Sequence, residues 1–198
     1  MPSHSLAHPR PGERSMLVSP VEPAQAPLLA RPYYRAEGTS PIVSSLAHVP
    51  EALEVTMPFV SVVLGPSAID ARAKELVIVR TSVLLECRYC VQTHCAAALD
   101  SGVTIAEVRA LRSTRAPLEG WEREDERALL AWVDAVANGR GEVPADVGEQ
   151  LRAHYSDPEV VELTLLCAAT IMLNRYCTAL ALPSSAPTLE RLAREGLS

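Results

Sequence analysis

Between Arg72 and Ala98 the chain has neither glycine nor proline. A stretch of that length without a breaker reads as helix. It also carries Glu75, Cys87, Cys90 and His94 in the spacing Glu-x11-Cys-x2-Cys-x3-His. Residues three and four apart are neighbours on a helix, so Cys87, Cys90 and His94 fall on one face. Two sulfurs in a Cys-x2-Cys pair come close enough to form a disulfide after modest backbone adjustment. The reactive species is the thiolate, and a free cysteine has a pKa of about 8.5. A helix N-terminus, a nearby cation or a hydrogen-bonding histidine can lower that value. His94, one turn beyond Cys90, is the candidate base. Glu75 is the candidate carboxylate that orients the imidazole or passes protons to it.

Glu75 can act this way only if the helix is broken. In one straight helix it would lie roughly 22 Å from Cys90, at about 1.5 Å per residue. The reading therefore requires a bend between Ser82 and Cys87. A helix ending there and another starting near Cys87 would lay Glu75 beside His94. It would also set the cysteines at a helix N-terminus. No glycine or proline marks the bend.

These residues resemble the signature of the alkylhydroperoxidase D-like branch of the carboxymuconolactone decarboxylase superfamily. The flanks are similar too: Ala73-Lys74-Glu75-Leu76 before the cysteines, and Val161 to Leu166 with Met172-Leu173-Asn174-Arg175 in a later helix. The likeness covers residues 45 to 182. It implies an all-α, single-domain helical bundle that assembles into homotrimers or homohexamers. It also implies roles. Cys90 attacks a peroxide and becomes a sulfenic acid, Cys87 resolves it to a Cys87–Cys90 disulfide, and Glu75 with His94 relays protons. A lipoyl- or thioredoxin-type donor then reduces the disulfide, and no cofactor or metal is called for. Tyr89 stands where the family's best-known peroxidase has a histidine, which departs from the pattern. The decarboxylase branch lacks the cysteine pair, so lactone decarboxylation is not implied.

Other readings of the same residues exist. Cysteine is among the most buried residue types, so the pair could be core filler, or could sense oxidants in a helical oligomer that is not an enzyme. Cys87, Cys90, His94 and Cys95 number four possible zinc ligands, but helical spacing closes a tetrahedron poorly and no second pair follows. Cys95 should point about 100° away around the helix, into core or towards a secondary oxidation site. Cys167 and Cys177 sit in an apolar helix and read as plain core, and Tyr89 reads as packing.

Composition narrows the partners. The 198 residues suit one domain with a real core. A net charge of −6 argues against nucleic acid. The N-terminus shows no apolar h-region. Free cysteines then fit a reducing cytoplasm, where they read as catalytic and not as a disulfide framework. Residues 1–40 hold seven prolines (Pro2, Pro9, Pro11, Pro20, Pro23, Pro27 and Pro32). These predict an extended arm, disordered in part, with Leu28, Leu29, Tyr33 and Tyr34 to bury, on a neighbouring subunit if the arm wraps one.

Residues 41–198 read as the helical domain. Helices are predicted over Val49–Val63 with a kink at Pro58, over Lys74–Leu84 capped by Ser67 or Asp70, and over Cys87–Leu99. A Thr104 capping box opens the next, to Leu111, and a loop covers Arg112–Gly120. Trp121–Val136 is amphipathic, with Glu122, Arg123, Glu124, Glu126 and Arg127 mostly towards water. Asn138–Gly141 is a break. A helix from Pro144 to a surface His154 follows, then a long one capped by Asp157-Pro158 and reaching Leu182. Its run from Leu163 to Leu173 is apolar nearly all round. That is too short for a bilayer, which needs about 20 residues, and predicts burial within or between subunits.

Overall fold

The computed structural model describes residues 15–36, 38–113, 121–139 and 141–198. The expected loop at Arg112–Gly120 and the start of the proline-rich arm lie mostly outside that set. Among the described residues the chain is all helical: α1 (Pro41–Leu46), α2 (Pro50–Leu64), α3 (Ala71–Leu84), α4 (Arg88–Asp100), α5 (Ile105–Leu111), α6 (Glu124–Asn138), α7 (Ala145–Arg152), α8 (Asp157–Ala179) and α9 (Ala186–Arg194). Two short 3-10 turns, Pro23–Gln25 and Arg31–Tyr33, precede them. The sequence reading stops at Leu182, and α9 is an addition to it.

Helix α3 is the centre, packed against α4, α6 and α8. It starts where Asp70 Oδ1 accepts the Ala73 N–H at 2.7 Å, so of the two expected caps Asp70 is the one used. Nearly every side chain from Ala73 to Ser82 is buried. One face meets Leu129, Val133, Leu163 and Leu166 from α6 and α8. The other meets Cys95, Ala98, Val108, Leu111 and Leu192 from α4, α5 and α9. Pro58 lies inside α2 without ending it.

Buried charge ties the elements together. Arg72 grips Glu126 of α6 (Nε to Oε1, 2.7 Å) and Glu107 of α5. Glu126 is therefore buried, contrary to the outward placement expected from α6's pattern; the guanidinium supplies what solvent would have. Lys74 is also buried and donates to the Gly65 carbonyl at 2.6 Å, satisfying the end of α2. Its second partner is Glu162 at 2.9 Å.

The long helix α8 is capped by Ser156, one residue before the expected Asp157. The Ser156 N–H and Oγ both donate to Glu159 Oε2, at 2.7 and 2.6 Å. At 23 residues α8 is long and apolar enough to cross a membrane by length and composition. In this fold its Leu163, Leu166, Cys167, Thr170, Asn174 and Cys177 are buried against the bundle. The arm from residue 15 lies along the same molecule. Leu17 N–H donates to the Leu180 carbonyl and Val21 N–H to the Ser44 carbonyl, each at 3.0 Å. Tyr33 and Tyr34 pack on a small core of Ala30, Val43, Ala47 and Leu53, while Leu28 stays exposed.

Candidate thiol redox site

The bend that the spacing demands is present. Helix α3 ends at Leu84, Leu85 follows, and Glu86 takes the left-handed conformation at φ 54°. Glu86 N–H donates to the Val83 carbonyl (3.1 Å) and Cys87 N–H to the Ser82 carbonyl (2.9 Å). This paired closure is the Schellman pattern, with glutamate where glycine is usual. The chain reverses, and Cys87 becomes the N-cap of α4 with Cys90 in its first turn.

The two sulfurs lie 2.7 Å apart, both free thiols. Both are buried, Cys87 completely and Cys90 to 5% exposure. A third sulfur joins them. Cys177, in the last turn of α8, packs with both in one buried apolar cluster that includes Leu182. Met16, Ile42, Tyr89, Tyr176 and Leu180 pack around it. Hydrogen bonding from Cys177 and Cys90, helped by the Cys90 backbone N–H, outweighs burial and holds the Cys87 thiol down at about 3. The same contacts with Cys177 and Cys87 push Cys90 far above the thiol range. Cys177, bonded to Cys87, is pushed up to about 12. Closely packed thiols favour one charge and resist a second, and the sulfur at the N-terminus of α4 is the natural seat for it.

One turn further along α4, His94 Nδ1 lies 3.0 Å from Glu75 Oε2 on α3. Both side chains are mostly shielded from water. The hairpin of α3 and α4 thus joins the four predicted residues in two pairs, Glu75 with His94 and Cys87 with Cys90. Tyr89 packs beside the thiols, and its phenol is pushed up to about 12, first by burial and then by the neighbouring cysteines.

The other cysteines separate. Cys95 is buried in the core under α5 and α9, and burial pushes its thiol up to about 11. It does not join the pair, so the four residues considered for zinc do not converge. Cys167 contacts Thr81 Oγ1 at 3.5 Å, away from the cluster. Cys177 departs from the plain-core reading: it is buried as expected, but against the two other sulfurs. Its position in an apolar helix gives no hint of this, because the contact depends on how α8 ends beside the α3–α4 turn.

Residues 50–135 match the model of the Carboxymuconolactone decarboxylase family. No curated protein matches the chain. Among solved structures, a protein of unknown function from Agrobacterium tumefaciens, described as a candidate antioxidant defence protein AhpD, is similar at 29% identity. Its TM-score is 0.66, over 72% of this chain and 96% of that one. An uncharacterized peroxidase-related protein from Silicibacter sp. TM1040 shares the fold at 19% identity and TM-score 0.75, over 93% and 97%. So does the debrominase Bmp8, at 20% identity and TM-score 0.76, over 91% and 98%. Residues 50–135 thus carry the match to the carboxymuconolactone decarboxylase family, and the helical fold is that of the AhpD-like proteins.

Proposed function

We propose that this chain is a thiol-dependent oxidoreductase that reduces hydroperoxides through Cys90 and Cys87. The observation that carries the reading is a pair of thiols 2.7 Å apart with a carboxylate-held imidazole on the next turn. Glu75 fixes His94 through Nδ1, which leaves Nε2 to exchange protons with the sulfur one turn back. The resting charge favours Cys87, but Cys90 is the less buried of the pair; once its proton has passed to the Cys87 thiolate or to His94, the Cys90 sulfur takes an oxygen from ROOH, releasing ROH. Cys87 then displaces hydroxide from the sulfenic sulfur, water leaves, and a disulfide remains. A dithiol donor of lipoyl or thioredoxin type returns the pair to thiols. The working unit is a homo-oligomer.

Steady-state consumption of an alkyl hydroperoxide with excess dihydrolipoamide tests this. Wild type should turn over, and Cys90→Ser should lose activity to background. Turnover that survives Cys90→Ser removes the assignment. A non-enzymatic oxidant sensor would instead lose two thiols once and stop. The debrominase also crystallises, as a cysteine-to-alanine variant, with 2,3,4-tribromopyrrole, so a bromopyrrole is the second acceptor to assay.

A further inference from the structure

We propose that Cys177 is a third redox thiol of this site, closing a disulfide with Cys90 as an alternative to Cys87. The inference rests on the peroxidase reading for its oxidant, a hydroperoxide, but its geometry stands alone. Cys177 is buried and packs in one apolar cluster with Cys90, Cys87 and Leu182. Its backbone is pinned in place: the Leu182 N–H donates to the Cys177 carbonyl at 3.0 Å, and Ala181 takes φ 53° to close the end of α8.

Two routes lead to the same product. In the first, ROOH oxidises Cys90 to the sulfenic acid and leaves as ROH. The Cys177 thiol attacks that sulfur, the S–S bond forms as the S–O bond breaks, and hydroxide takes the thiol proton as water. In the second, a Cys87–Cys90 disulfide already exists. Cys177 attacks the Cys90 sulfur, the old S–S bond breaks with its electron pair on Cys87, and the Cys177 proton ends there. The second route is an exchange without net oxidation. Cys87 suits the leaving role because it sits at the N-cap position of α4, at the positive end of the helix dipole; a better-stabilised thiolate leaves faster. Either way the bond would join the start of α4 to the end of α8, and one thiol of the three stays reduced.

Cys87→Ser is the informative variant. Treated with one equivalent of hydroperoxide, quenched in acid and mapped by mass spectrometry under non-reducing conditions, it should lose two thiols and yield a Cys90–Cys177 linked peptide. Cys87→Ser/Cys177→Ser should stop at a sulfenic acid on Cys90, trapped by dimedone. If Cys87→Ser also stops there, with no linked peptide, the inference is overturned. The disulfide-forming reagent diamide separates this from failure of the peroxidase reading. A Cys90–Cys177 link formed by diamide in a protein inert to peroxide sustains the third thiol and removes the peroxide. If Cys87→Ser does not fold, wild type is mapped after diamide treatment. A Cys90–Cys177 peptide there supports the proposal, and Cys87–Cys90 as the sole product overturns it.

Discussion

At the scale of residues the site depends on where one negative charge rests. Cys87 sits at the N-cap position of α4, 2.7 Å from the Cys90 thiol, with Cys177 packed in the same apolar cluster. An ordinary thiol is almost wholly protonated below about pH 7, whereas this one is held down at about 3. Ultraviolet thiolate absorbance should therefore show one thiolate per chain in mild acid, missing in Cys87→Ser. The stability consequence has a definite sign. A thiol whose folded value lies below its unfolded one contributes fully above the unfolded value. That contribution is lost as pH falls towards the folded value. Cys177, pushed up to about 12, acts in the opposite sense: as the unfolded chain ionises above about pH 9, folding has to keep that proton on. Denaturant midpoints of wild type, relative to Cys87→Ser, should climb from acid to neutral pH and fall again in base. A difference that is flat across that window would put the resting charge elsewhere.

At the scale of elements, four helices among the described residues end in the same paired closure, and the residue in the left-handed position divides them. Helices α4 and α9 use Gly102 and Gly196, while α3 and α8 use Glu86 and Ala181. The two ends without glycine are the two that deliver Cys87 and Cys177. A left-handed side-chain residue costs about 1–2 kcal/mol, and such positions gather at functional sites. Glu86→Gly should therefore stabilise the fold by about 1 kcal/mol, somewhat offset by the freer unfolded chain. Thermal unfolding checks this, and a lower melting temperature would mean that the Glu86 side chain does more than tolerate the turn. The same position explains what could be read beforehand. Asp70, the Thr104 capping box and Gly102 are local signals, and the helices they bound were legible. The α3–α4 turn was legible only because Glu75 and His94 had a reason to meet, since Glu86 carries no turn signature. Helix α9 had its signal in Ser185-Ala186-Pro187 ahead of Leu189 and Leu192. Glu126 looked like one more surface carboxylate because its partner, Arg72, lies on another helix. The Cys177 contact is likewise set by tertiary packing alone.

At the scale of the whole molecule, the long apolar run of α8 is divided between two uses. Leu163, Leu166 and Cys167 turn into the core, but Val161, Leu165 and Met172 remain exposed. Their spacing keeps them on one side of the helix. The adjoining helix α2 does the same with Val55, Phe59 and Val62, at steps of four and three. Isolated apolar residues on a surface need no explanation, but two neighbouring stripes do. A second copy of the chain is the occupant consistent with the proposed homo-oligomer. Sedimentation velocity should accordingly find wild type larger than a monomer. Val62→Glu with Val161→Glu should move it to monomer while leaving the helical signal intact, because neither residue packs in the core. Monomeric wild type removes the assembly. An oligomer indifferent to both glutamates keeps assembly but shifts it to another face, and the arm with its exposed Leu28 would then be the surface to alter next.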